Sequence, residues 1–287
     1  MLATHRASPG LTPSDTLLAR ALEARGATVT ARPWDAIDPG SDYADKVCLR
    51  STWDYHLRID EFRAWVSAFR ATPGRLWNPP ETALWNLDKE YLRGLESAGA
   101  AIPETRWLAP GQAPDHAALL HDAGWREAVL KPRVSASAHG TMLVSAESVL
   151  SASDQAHLAA SGALLQEFIP EIRTRGEVSL MFLGGEYSHA VRKDVAAGEF
   201  RVQPHLGGGA RLIDATPELR SFGERVLAAV PYAWVYARVD VVEAARGPLL
   251  MELELIEPEL FFHLMPERAE RLATAFAAPS PRRQSAP

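Results

Sequence analysis

The sequence predicts a multi-domain α/β protein with a compact N-terminal α/β unit and a strand-rich C-terminal half. Helical and strand patterns alternate over the first 76 residues, and the punctuation Asn78-Pro79-Pro80 follows them. After residue 163, most segments instead resemble successive antiparallel strands. We therefore predict domains at 1–76, 77–165 and 166–277, followed by a disordered tail rich in Pro, Ser and Arg at 278–287.

The N-terminal unit is predicted from apolar periodicity and helix-end signals. The predicted elements are strands at 2–5, 28–31 and 46–50 and helices at 15–25 and 60–70. Ser14 is the predicted N-cap of the first helix, because its hydroxyl can accept a hydrogen bond from a free backbone amide there. This alternation is typical of a doubly wound unit.

The remainder of the chain divides into a mixed middle region and a strand-rich end. The predicted helices lie at 81–98, 115–123, 146–160, 217–229 and from 266 onward. The predicted strands lie at 105–108, 128–131, 141–144, 163–168, 178–183, 186–192, 200–202, 235–242 and 249–256. A loop of small residues at 133–140 joins two of these strands.

Composition narrows the class of partner. The 287 residues carry 30 Lys and Arg against 36 Asp and Glu, so a nucleic acid is not an expected partner. No apolar run approaches the roughly 20 residues that span a bilayer, and the start lacks a signal-peptide pattern. The single cysteine, Cys48, fits a reducing compartment. We expect a cytoplasmic protein without a membrane partner, and the sequence leaves formation of a homo-oligomer open.

Lysine is rare in this chain. Only four of the 30 basic residues are lysines: Lys46, Lys89, Lys131 and Lys193. An ammonium group is a compact charge on a flexible stem, which suits contact with a phosphate oxygen. These lysines are either surviving surface charges or, where they lie in ligand-facing motifs, groups that bind phosphate.

The C-terminal hairpin carries acidic residues on one face. Period two places Arg238 and Asp240 on one face of the first strand, and Glu252 and Glu254 on one face of the second. A turn centred on Arg246 would set Asp240 opposite Glu252 and Arg238 opposite Glu254. Facing carboxylates repel each other, and a divalent cation shared with phosphates would relieve the repulsion. The face is therefore either a site for Mg²⁺, or Mn²⁺ in its place, or a solvated surface with Arg238 as counter-ion.

Two other segments give weaker signals. Lys131 ends an apolar strand before the small-residue loop, whose backbone amides can approach phosphate oxygens. Gln166, Glu167 and Phe168 end another strand with polar groups beside an aromatic ring, which suits a purine. Each segment is also compatible with an ordinary turn or strand exit, and the sequence contains no Walker A motif.

Six motifs in order carry a family resemblance. They are Leu87-Asp-Lys-Glu-Tyr-Leu92, Val129-Leu-Lys-Pro132 with its loop, Gln166-Glu-Phe-Ile169, Gly176-Glu-Val-Ser179, Arg238-Val-Asp240 and Met251-Glu-Leu-Glu254. Over roughly residues 77–274 the chain resembles the ATP-grasp family, in the branch of bacterial glutathione synthetase and RimK-type ligases. The resemblance implies an ATP-grasp architecture, with a small lid subdomain within 77–165, a mixed-sheet subdomain at 166–277 and a preceding N-terminal domain.

The resemblance also implies ATP and Mg²⁺ as cofactors and assigns their ligands. The implied nucleotide-binding residues are Lys89, Lys131, Ser135, Ser137 and Gly140 at the phosphates, Gln166, Glu167, Phe168 and Ile169 at the adenine, and Glu177 at the ribose. Asp240 and Glu252 would hold the metal. Glu254 occupies a position where such relatives commonly carry Asn, so it adds a third carboxylate to the metal site.

Three residues after an N-terminal strand are candidates for substrate binding. Arg50, Ser51 and Asp54 follow a predicted strand at its carboxyl end, where open α/β sheets place ligands. Arg50 and Asp54 would receive a carboxylate and an amine, or else form a local salt bridge. Residues 50–55, with 252–258, also resemble the subgroup that contains a D-cycloserine-forming cyclo-ligase.

The region between the adenine motif and the hairpin holds the remaining candidates. Arg192 and Arg201, with Arg238 on the hairpin, are candidate catalytic residues that would stabilise an acyl phosphate. Surface salt bridges are the alternative for the first two. The glycine-rich loop contributes Gly208 and Gly209 as candidate substrate contacts.

The sequence therefore predicts an ATP- and Mg²⁺-dependent carbon–nitrogen ligase. It would activate the carboxylate of a small amino-acid-like substrate as an acyl phosphate, which a nitrogen nucleophile, in the same molecule if the subgroup resemblance holds, then attacks. Such catalysis depends on positioning and charge neutralisation, which fits lysines, arginines and acids. The alternatives are a non-catalytic nucleotide-binding regulatory protein and a metal-dependent hydrolase.

Overall fold

The computed structural model describes residues 1–41, 44–112, 115–196, 198–202 and 207–277. Three sheets organise this part of the chain. The strands are β1 (Leu2–Thr4), β2 (Ala31–Pro33), β3 (Val47–Leu49), β4 (Leu76–Trp77), β5 (Thr105–Leu108), β6 (Ala128–Pro132), β7 (Met142–Val144), β8 (Ala163–Glu167), β9 (Glu177–Leu183), β10 (Glu186–Asp194), β11 (Gly209–Ile213), β12 (Tyr236–Ala244) and β13 (Gly247–Glu254).

Helices cover these sheets and connect their strands. The α-helices are α1 (Pro13–Glu23), α2 (Ile59–Ala68), α3 (Pro80–Asn86), α4 (Tyr91–Ser97), α5 (His116–Ala123), α6 (Ala152–Ser161), α7 (Ile172–Arg175), α8 (Pro217–Ala228) and α9 (Glu267–Ala277). No helix in the described ranges combines the length and the apolar character needed to cross a membrane.

The N-terminal sheet is parallel, as the alternation of strands and helices predicts. Its order is β2-β1-β3-β4. The predicted N-cap of the first helix is wrong, because the Thr12 side chain accepts from the amide of Asp15 at 3.0 Å. Ser14 is buried instead and donates to Glu259 Oε1 at 2.5 Å, which ties α1 to the segment after β13.

The second sheet is antiparallel and has the order β5-β8-β6-β7. The prediction of one long helix at 81–98 is wrong, because the helical conformation is interrupted between the end of α3 and the start of α4. In the break, the Lys89 amide donates to the Arg133 carbonyl at 2.9 Å, and the Arg133 guanidinium bonds Asp88. These contacts hold Lys89 against the loop after β6.

The third sheet has the order β11-β10-β9-β12-β13 and is antiparallel throughout. The predicted strand at 200–202 is not a strand in the structure. The outer strand β11 begins at Gly209 instead and pairs along β10, from Gly209 opposite Asp194 to Ile213 opposite Ala190. The glycine-rich segment therefore supplies an edge strand and not only a loop.

Two large apolar layers flank the third sheet. One layer joins α8 and α4 to Val178, Leu180 and Val239. The other joins α1 and α9 to Met181 and Val191 on the opposite face. The sheet is thus buried on both faces over much of its length, and four charged side chains are nevertheless buried on it: Glu177, Lys193, Arg238 and Asp240.

The predicted domain boundaries remain a proposal. The boundary after residue 76 falls inside β4, and the boundary after residue 165 falls inside β8. Because a strand belongs to one sheet along its length, we propose to move both boundaries to the ends of these strands. The predicted disordered tail at 278–287 lies outside the described residues.

Candidate active site

The three sheets meet around a cavity of about 370 Å³. That volume lies in the range of small-molecule sites, which is about 300–1,000 Å³. The predicted site residues that line it are Lys89, Lys131, Ser135, Ser137, Gln166, Glu167, Phe168, Ile169, Glu177, Arg201, Arg238, Asp240, Glu252 and Glu254. Those that do not line it are Arg50, Ser51, Asp54, Gly140, Arg192, Gly208 and Gly209.

The hairpin register that the sequence predicts is confirmed. Asp240 lies opposite Glu252, and Arg238 lies opposite Glu254. Ala244 and Gly247 close the hairpin, and a register shift follows Asp240, where Val241 pairs with Leu250. The turn is centred between residues 245 and 246 and not on Arg246 as predicted. One extra residue on β13, a β-bulge, restores the predicted pairing at Asp240, and the acids share one face.

Asp240 is the centre of a buried ionic network. Its carboxylate accepts from Arg238 at 2.9–3.2 Å, from Lys193 at 3.1 Å and from the Ser179 hydroxyl at 2.6 Å. Burial alone would raise the pKa of Asp240, but the charges of Arg238 and Lys193 outweigh burial and lower it. Asp240 is therefore held as a carboxylate.

The three acids of the hairpin face can share one cation. One oxygen each from Asp240, Glu252 and Glu254 lie within 4.8 Å of one another. Burial and the Glu252 charge raise the pKa of Glu254 to about 7, against the opposing effect of Arg238, which also bonds Glu254. Carboxylate oxygens are the ligands that Mg²⁺ prefers, so the donor set fits this ion.

Two lysines approach the acids from the second sheet and its neighbouring loop. Lys89 Nζ lies 3.2 Å from Glu252 and donates to the Ser135 carbonyl and hydroxyl at 3.1 and 3.2 Å. The Lys131 side chain, on β6, has no hydrogen bond or ion pair within the described residues, and burial lowers its pKa. In this part of the chain Lys131 is thus a basic side chain at the cavity that no acid pairs.

The loop after β6 has an unusual backbone. Ser137 and Ala138 have φ values of 52° and 57°, in the left-handed region that favours glycine. Gly140 also has positive φ, and a Cβ there would lie 2.8 Å from Pro132 Cγ. Gly140 therefore shapes the turn and does not line the cavity. Ser135 and Ser137 do line it.

The predicted adenine segment forms one wall of the cavity. Glu167 is bonded to Arg246, and the Gln166 amide donates to Thr105 Oγ1 at 3.1 Å. Phe168 and Ile169 are buried and present apolar surface. This segment offers an apolar wall, which suits a flat ring.

Glu177 faces a lysine that the prediction of site residues omits. Its carboxylate lies 2.5 Å from Lys193 Nζ, and the two residues are directly opposed on β9 and β10. Because Lys193 lines the cavity, Arg192 must point to the other face of β10. There Arg192 donates to Glu243 and to the Arg175 carbonyl, each at 2.6 Å. Arg192 is thus paired away from the cavity.

Arg201 lines the cavity and is also paired. Its guanidinium donates to Glu199 Oε2 at 2.7 Å. Arg238 lines the cavity as well, where it bridges Asp240 and Glu254. Two of the three candidate catalytic arginines therefore reach the cavity.

The predicted substrate residues lie apart from the cavity. Arg50 is 1% exposed, and it donates to Asp15 at 2.7 Å and to the Pro258 carbonyl at 2.8 Å, not to Asp54. Asp54 accepts from the Trp34 ring nitrogen at 2.8 Å. Ser51 is buried, and its hydroxyl oxygen has no partner within the described residues. These residues build the loop after β3.

The two glycines predicted to contact substrate, Gly208 and Gly209, lie against the neighbouring strand β10. A Cβ at Gly208 would lie 2.7 Å from the Asp194 carbonyl, and Gly209 pairs with Asp194 on β10. Small size at Gly208 is therefore required by the backbone of the neighbouring strand. Neither residue borders the cavity.

The cavity also contains residues that sequence reasoning missed. Trp53, Tyr55, Lys193 and Glu257 line it beside the predicted residues. Lys193 had a signal, because it is one of only four lysines. Glu257 follows the end of β13, where strand periodicity no longer assigns a face. The sequence therefore does not indicate that its side chain lines the cavity.

Comparison with known proteins decides the family. A model of the N-terminal domain of D-cycloserine synthetase DcsG matches residues 1–78, and a model of the RimK-like ATP-grasp domain matches residues 129–259. Cycloserine biosynthesis protein DcsG from Streptomyces lavendulae is 31% identical over 269 residues, covering 87% of this chain and 88% of that one. The chain belongs to the ATP-grasp family. It is a ligase of that family.

Other matches agree at greater distance. A probable α-L-glutamate ligase 2 from Shewanella amazonensis is 29% identical over 56% of this chain and 52% of its own length. The crystal structure of D-cycloserine synthetase DcsG superposes with a TM-score of 0.81 at 28% identity, over 96% of this chain and 97% of that one. D-alanine–D-alanine ligase from Bacillus anthracis shares the fold, with a TM-score of 0.68 at 12% identity over 97% of this chain and 96% of that one. The predicted ATP-grasp fold is confirmed.

Proposed function

We propose that this ATP-grasp ligase joins a carboxyl group to a nitrogen nucleophile through an acyl phosphate, and that both groups belong to one small amino-acid-like substrate. The observation that supports the proposal most directly is that Lys89 and Lys131 line the same cavity as the acidic face of the hairpin, with Lys89 paired to Glu252. Cations for phosphates and carboxylates for a metal are the parts that phosphoryl transfer requires.

The proposed chemistry has two balanced steps. A carboxylate oxygen of the substrate bonds to the γ-phosphorus of ATP, and the bond between that phosphorus and ADP breaks. The lone pair of the nitrogen then bonds to the acyl carbon, the nitrogen loses a proton, and inorganic phosphate leaves with one carboxylate oxygen. The residues of the cavity serve these steps by positioning and charge neutralisation.

Each charged residue has a proposed part. Lys89 and Lys131 bind phosphate oxygens, and the loop at 133–141 covers them. Asp240, Glu252 and Glu254 hold Mg²⁺, which when bound neutralises charge on the phosphates. An ATP-grasp ligase with this fold, PsnB, has been solved with Mg and ADP at 17% identity and a TM-score of 0.64, over 96% of this chain and 97% of that one.

Other cavity residues complete the proposed nucleotide and reaction sites. Gln166–Ile169 receive the adenine, and Glu177, with its partner Lys193, borders the ribose. Arg201 and Arg238 stabilise the acyl phosphate. Arg192, which is paired on the other face of β10, has no part in this proposal.

The intramolecular form of the reaction rests on the resemblance to DcsG. D-cycloserine is a ring in which the carbonyl carbon of a serine skeleton is bonded to a nitrogen carried by the side-chain oxygen. Opening that carbon–nitrogen bond gives O-amino-D-serine, which holds an acid and a nucleophile in one molecule. The cavity of about 370 Å³ lies in the size range of small-molecule sites.

ADP release is the direct test. The full chain is incubated with ATP, Mg²⁺ and a panel of amino acids that includes O-amino-D-serine labelled with ¹⁸O in its carboxylate. We expect ADP release that depends on the amino acid, and transfer of ¹⁸O into the released phosphate. Hydroxylamine should trap the intermediate as a hydroxamate.

The same assay separates the alternatives. Binding of ATP without ADP release in the presence of any amino acid would support a non-catalytic nucleotide-binding protein. Hydrolysis of an ester or amide without any binding of ATP would support a metal-dependent hydrolase. Release of ADP with unlabelled phosphate would rule out the acyl phosphate.

A further inference from the structure

One carboxyl group in the cavity has no hydrogen-bond or ion-pair partner among the residues that the structure describes. Glu257 is 7% exposed and lines the cavity, yet its side chain has no hydrogen bond or ion pair within the described residues. Its backbone, by contrast, is fixed, because the ring nitrogen of Trp53 donates to the Glu257 carbonyl at 3.3 Å. The side chain is therefore held at the cavity without a protein group to satisfy it.

The other acids of the cavity do have partners. Glu252 is paired with Lys89, Glu254 with Arg238, and Glu177 with Lys193. Glu259 accepts from the Ser14 hydroxyl and the Phe261 amide. Within the described residues, Glu257 differs from these neighbours in lacking a hydrogen bond or ion pair, although it is more deeply buried than Glu252, Glu254 and Glu259.

A carboxyl group in this position has no cation or donor from the described residues to stabilise its ionised form, so only solvent in the cavity or a ligand can do so. Transfer of an ionised carboxylate out of water is strongly unfavourable unless a cation or several hydrogen-bond donors replace the water. Burial, with the charges of Glu254 and Glu252, raises the pKa of Glu257 well above its usual range. A bound cationic group would remove this penalty.

The position of Glu257 favours an organic ammonium group as that cation. The oxygens that lie close enough to share a metal come from Asp240, Glu252 and Glu254, and Glu257 is not in that group. Two aromatic side chains of the loop after β3, Trp53 and Tyr55, line the cavity as well. An ammonium group is stabilised by a carboxylate and by aromatic faces together.

We propose that Glu257 binds the α-ammonium group of the amino-acid substrate and so determines that the enzyme accepts amino acids over acids that lack this group. The inference rests on the proposed function, which requires a small substrate with a carboxylate and a nitrogen nucleophile. Lys131 is its counterpart of opposite charge. Within the described residues both side chains lack a hydrogen bond or ion pair, and both line the cavity, one for the phosphates of ATP and the other for the substrate.

A pair of ligands that differ by one group tests the proposal. O-amino-D-serine and 3-aminooxypropionate have the same acid and the same nucleophile, but the second lacks the α-ammonium group. Each is titrated by calorimetry into the full chain with ADP and Mg²⁺. We expect the wild-type protein to bind O-amino-D-serine at least about tenfold more tightly, because a charged hydrogen bond is worth about that factor or more.

Variants of Glu257 show whether this residue makes the difference. Glu257→Gln should remove the preference and leave the affinity for ADP unchanged, whereas Glu257→Asp should keep part of it. Glu224→Gln, an exposed glutamate on α8, is the matched control and should keep all of it. A preference that survives in Glu257→Gln, or equal binding of both ligands by the wild-type protein, would overturn the proposal. Failure of both ligands to bind would overturn it too.

Turnover distinguishes this inference from the function on which it rests. If the wild-type enzyme releases ADP equally well with both compounds, the ligase function stands and the role of Glu257 is wrong. If both compounds bind with the expected preference but neither supports ADP release, the role of Glu257 stands and the proposed chemistry is wrong.

Discussion

Two buried arginine–aspartate pairs in this protein have the same chemistry and different surroundings. Arg50 bonds Asp15 beneath the N-terminal sheet, and Arg238 bonds Asp240 in the third sheet. Arg50 and Arg238 are 1% and 9% exposed, so burial does not distinguish them. Only the second pair borders the cavity.

The difference lies in what surrounds each pair. Arg50 also donates to the Pro258 carbonyl, and together with Asp15 it joins the loop after β3 to α1 and to the segment after β13. Arg238 instead bridges Asp240 to Glu254 on a face of the hairpin that carries three acids and one arginine. The first pair closes a structural junction, and the second leaves negative charge for a ligand.

This contrast teaches that a charged residue at the end of a strand is not by itself a ligand contact. In a parallel sheet the carboxyl ends of strands do face a potential site, and Arg50 lies at such an end. Its charge is nonetheless paired with Asp15 on the neighbouring helix α1. An excess of one charge on a surface that borders a cavity is the better indicator of function.

The largest expected effect separates the two pairs by stability. Arg50→Met leaves Asp15 buried without its cation, so the free energy of unfolding should fall by about 3–5 kcal/mol. The affinity of the folded protein for ATP with Mg²⁺ should not change, because Arg50 does not reach the cavity. Denaturant unfolding and calorimetry measure the two quantities.

A surface pair provides the control for that experiment. Arg93 pairs with Glu90 where both side chains are about half exposed, so Arg93→Met should cost less than about 1 kcal/mol. Loss of ligand affinity in Arg50→Met at full stability would contradict the structural role of Arg50.

The next effect concerns the acidic face that contains Arg238 and Asp240. ATP should stabilise the protein only when Mg²⁺ or Mn²⁺ is present, since the three acids repel phosphates until a cation binds. At 100 times its dissociation constant, ATP should add about 2.7 kcal/mol to the free energy of unfolding. Thermal unfolding with ATP in the presence and absence of excess EDTA measures this. An equal shift in EDTA would contradict the metal site.

Lysines sharpen the same contrast between the two regions. Lys131→Ala should weaken binding of ATP by about 1.5–3 kcal/mol, the usual loss for a charged hydrogen bond. Lys46→Ala should leave that affinity unchanged, because Lys46 donates to the Phe276 carbonyl and lies over the Trp77 ring, outside the cavity. Calorimetric titration of both variants gives the comparison, and matching affinities would argue against the role of Lys131.

Much of the fold can be predicted from local sequence patterns. The elements that were predicted wrongly depend on contacts between residues far apart in the sequence. The acidic hairpin was predictable because period two assigns faces without reference to the rest of the chain. The break at Lys89 was not, because residues 87–90 favour a helix and the contacts that hold the break are with residues far along the chain, Arg133 and Ser135. The start of β11 at Gly209 depends on pairing with β10, which a glycine-rich sequence does not suggest.

The same reasoning explains which site residues could be predicted. Lys131 and Asp240 lie in motifs where adjacent residues carry the signal. The partners of Arg50 are Asp15 and Pro258, which lie far away along the sequence. The residues next to Arg50 therefore do not indicate that it is paired within the protein. Glu257 is the converse case, because its lack of a partner is a property of the folded cavity and not of its neighbours in sequence.

The smallest expected effect concerns a histidine in the loop that Arg50 begins. The His56 ring lies 4.9 Å, centroid to centroid, from that of His139 in the loop after β6, and His56 Nδ1 is buried without a partner within the described residues. Burial, with the charge of His139, lowers the pKa of His56 to about 4 from its ordinary 6.5. Between these values the unfolded chain binds a proton that the folded protein does not, so this contribution to stability is complete above pH 6.5 and is lost as the pH falls toward 4.

Replacing His56 should therefore flatten the acid side of the stability profile. In His56→Asn, the decrease in the free energy of unfolding between pH 6.5 and 4 should be smaller than in the wild-type protein by about 1 kcal/mol, because water screens a half-buried ring. Some slope remains, since burial also lowers the pKa of His189 to about 4. His121→Asn, at an exposed ring on α5, serves as the control and should leave the profile unchanged. Denaturant unfolding at intervals across this pH range measures the difference. A profile for His56→Asn that runs parallel to the wild-type profile would mean that His56 gains a proton in the folded protein as readily as in the unfolded chain, and that the loop after β3 is open to water where it meets the loop after β6.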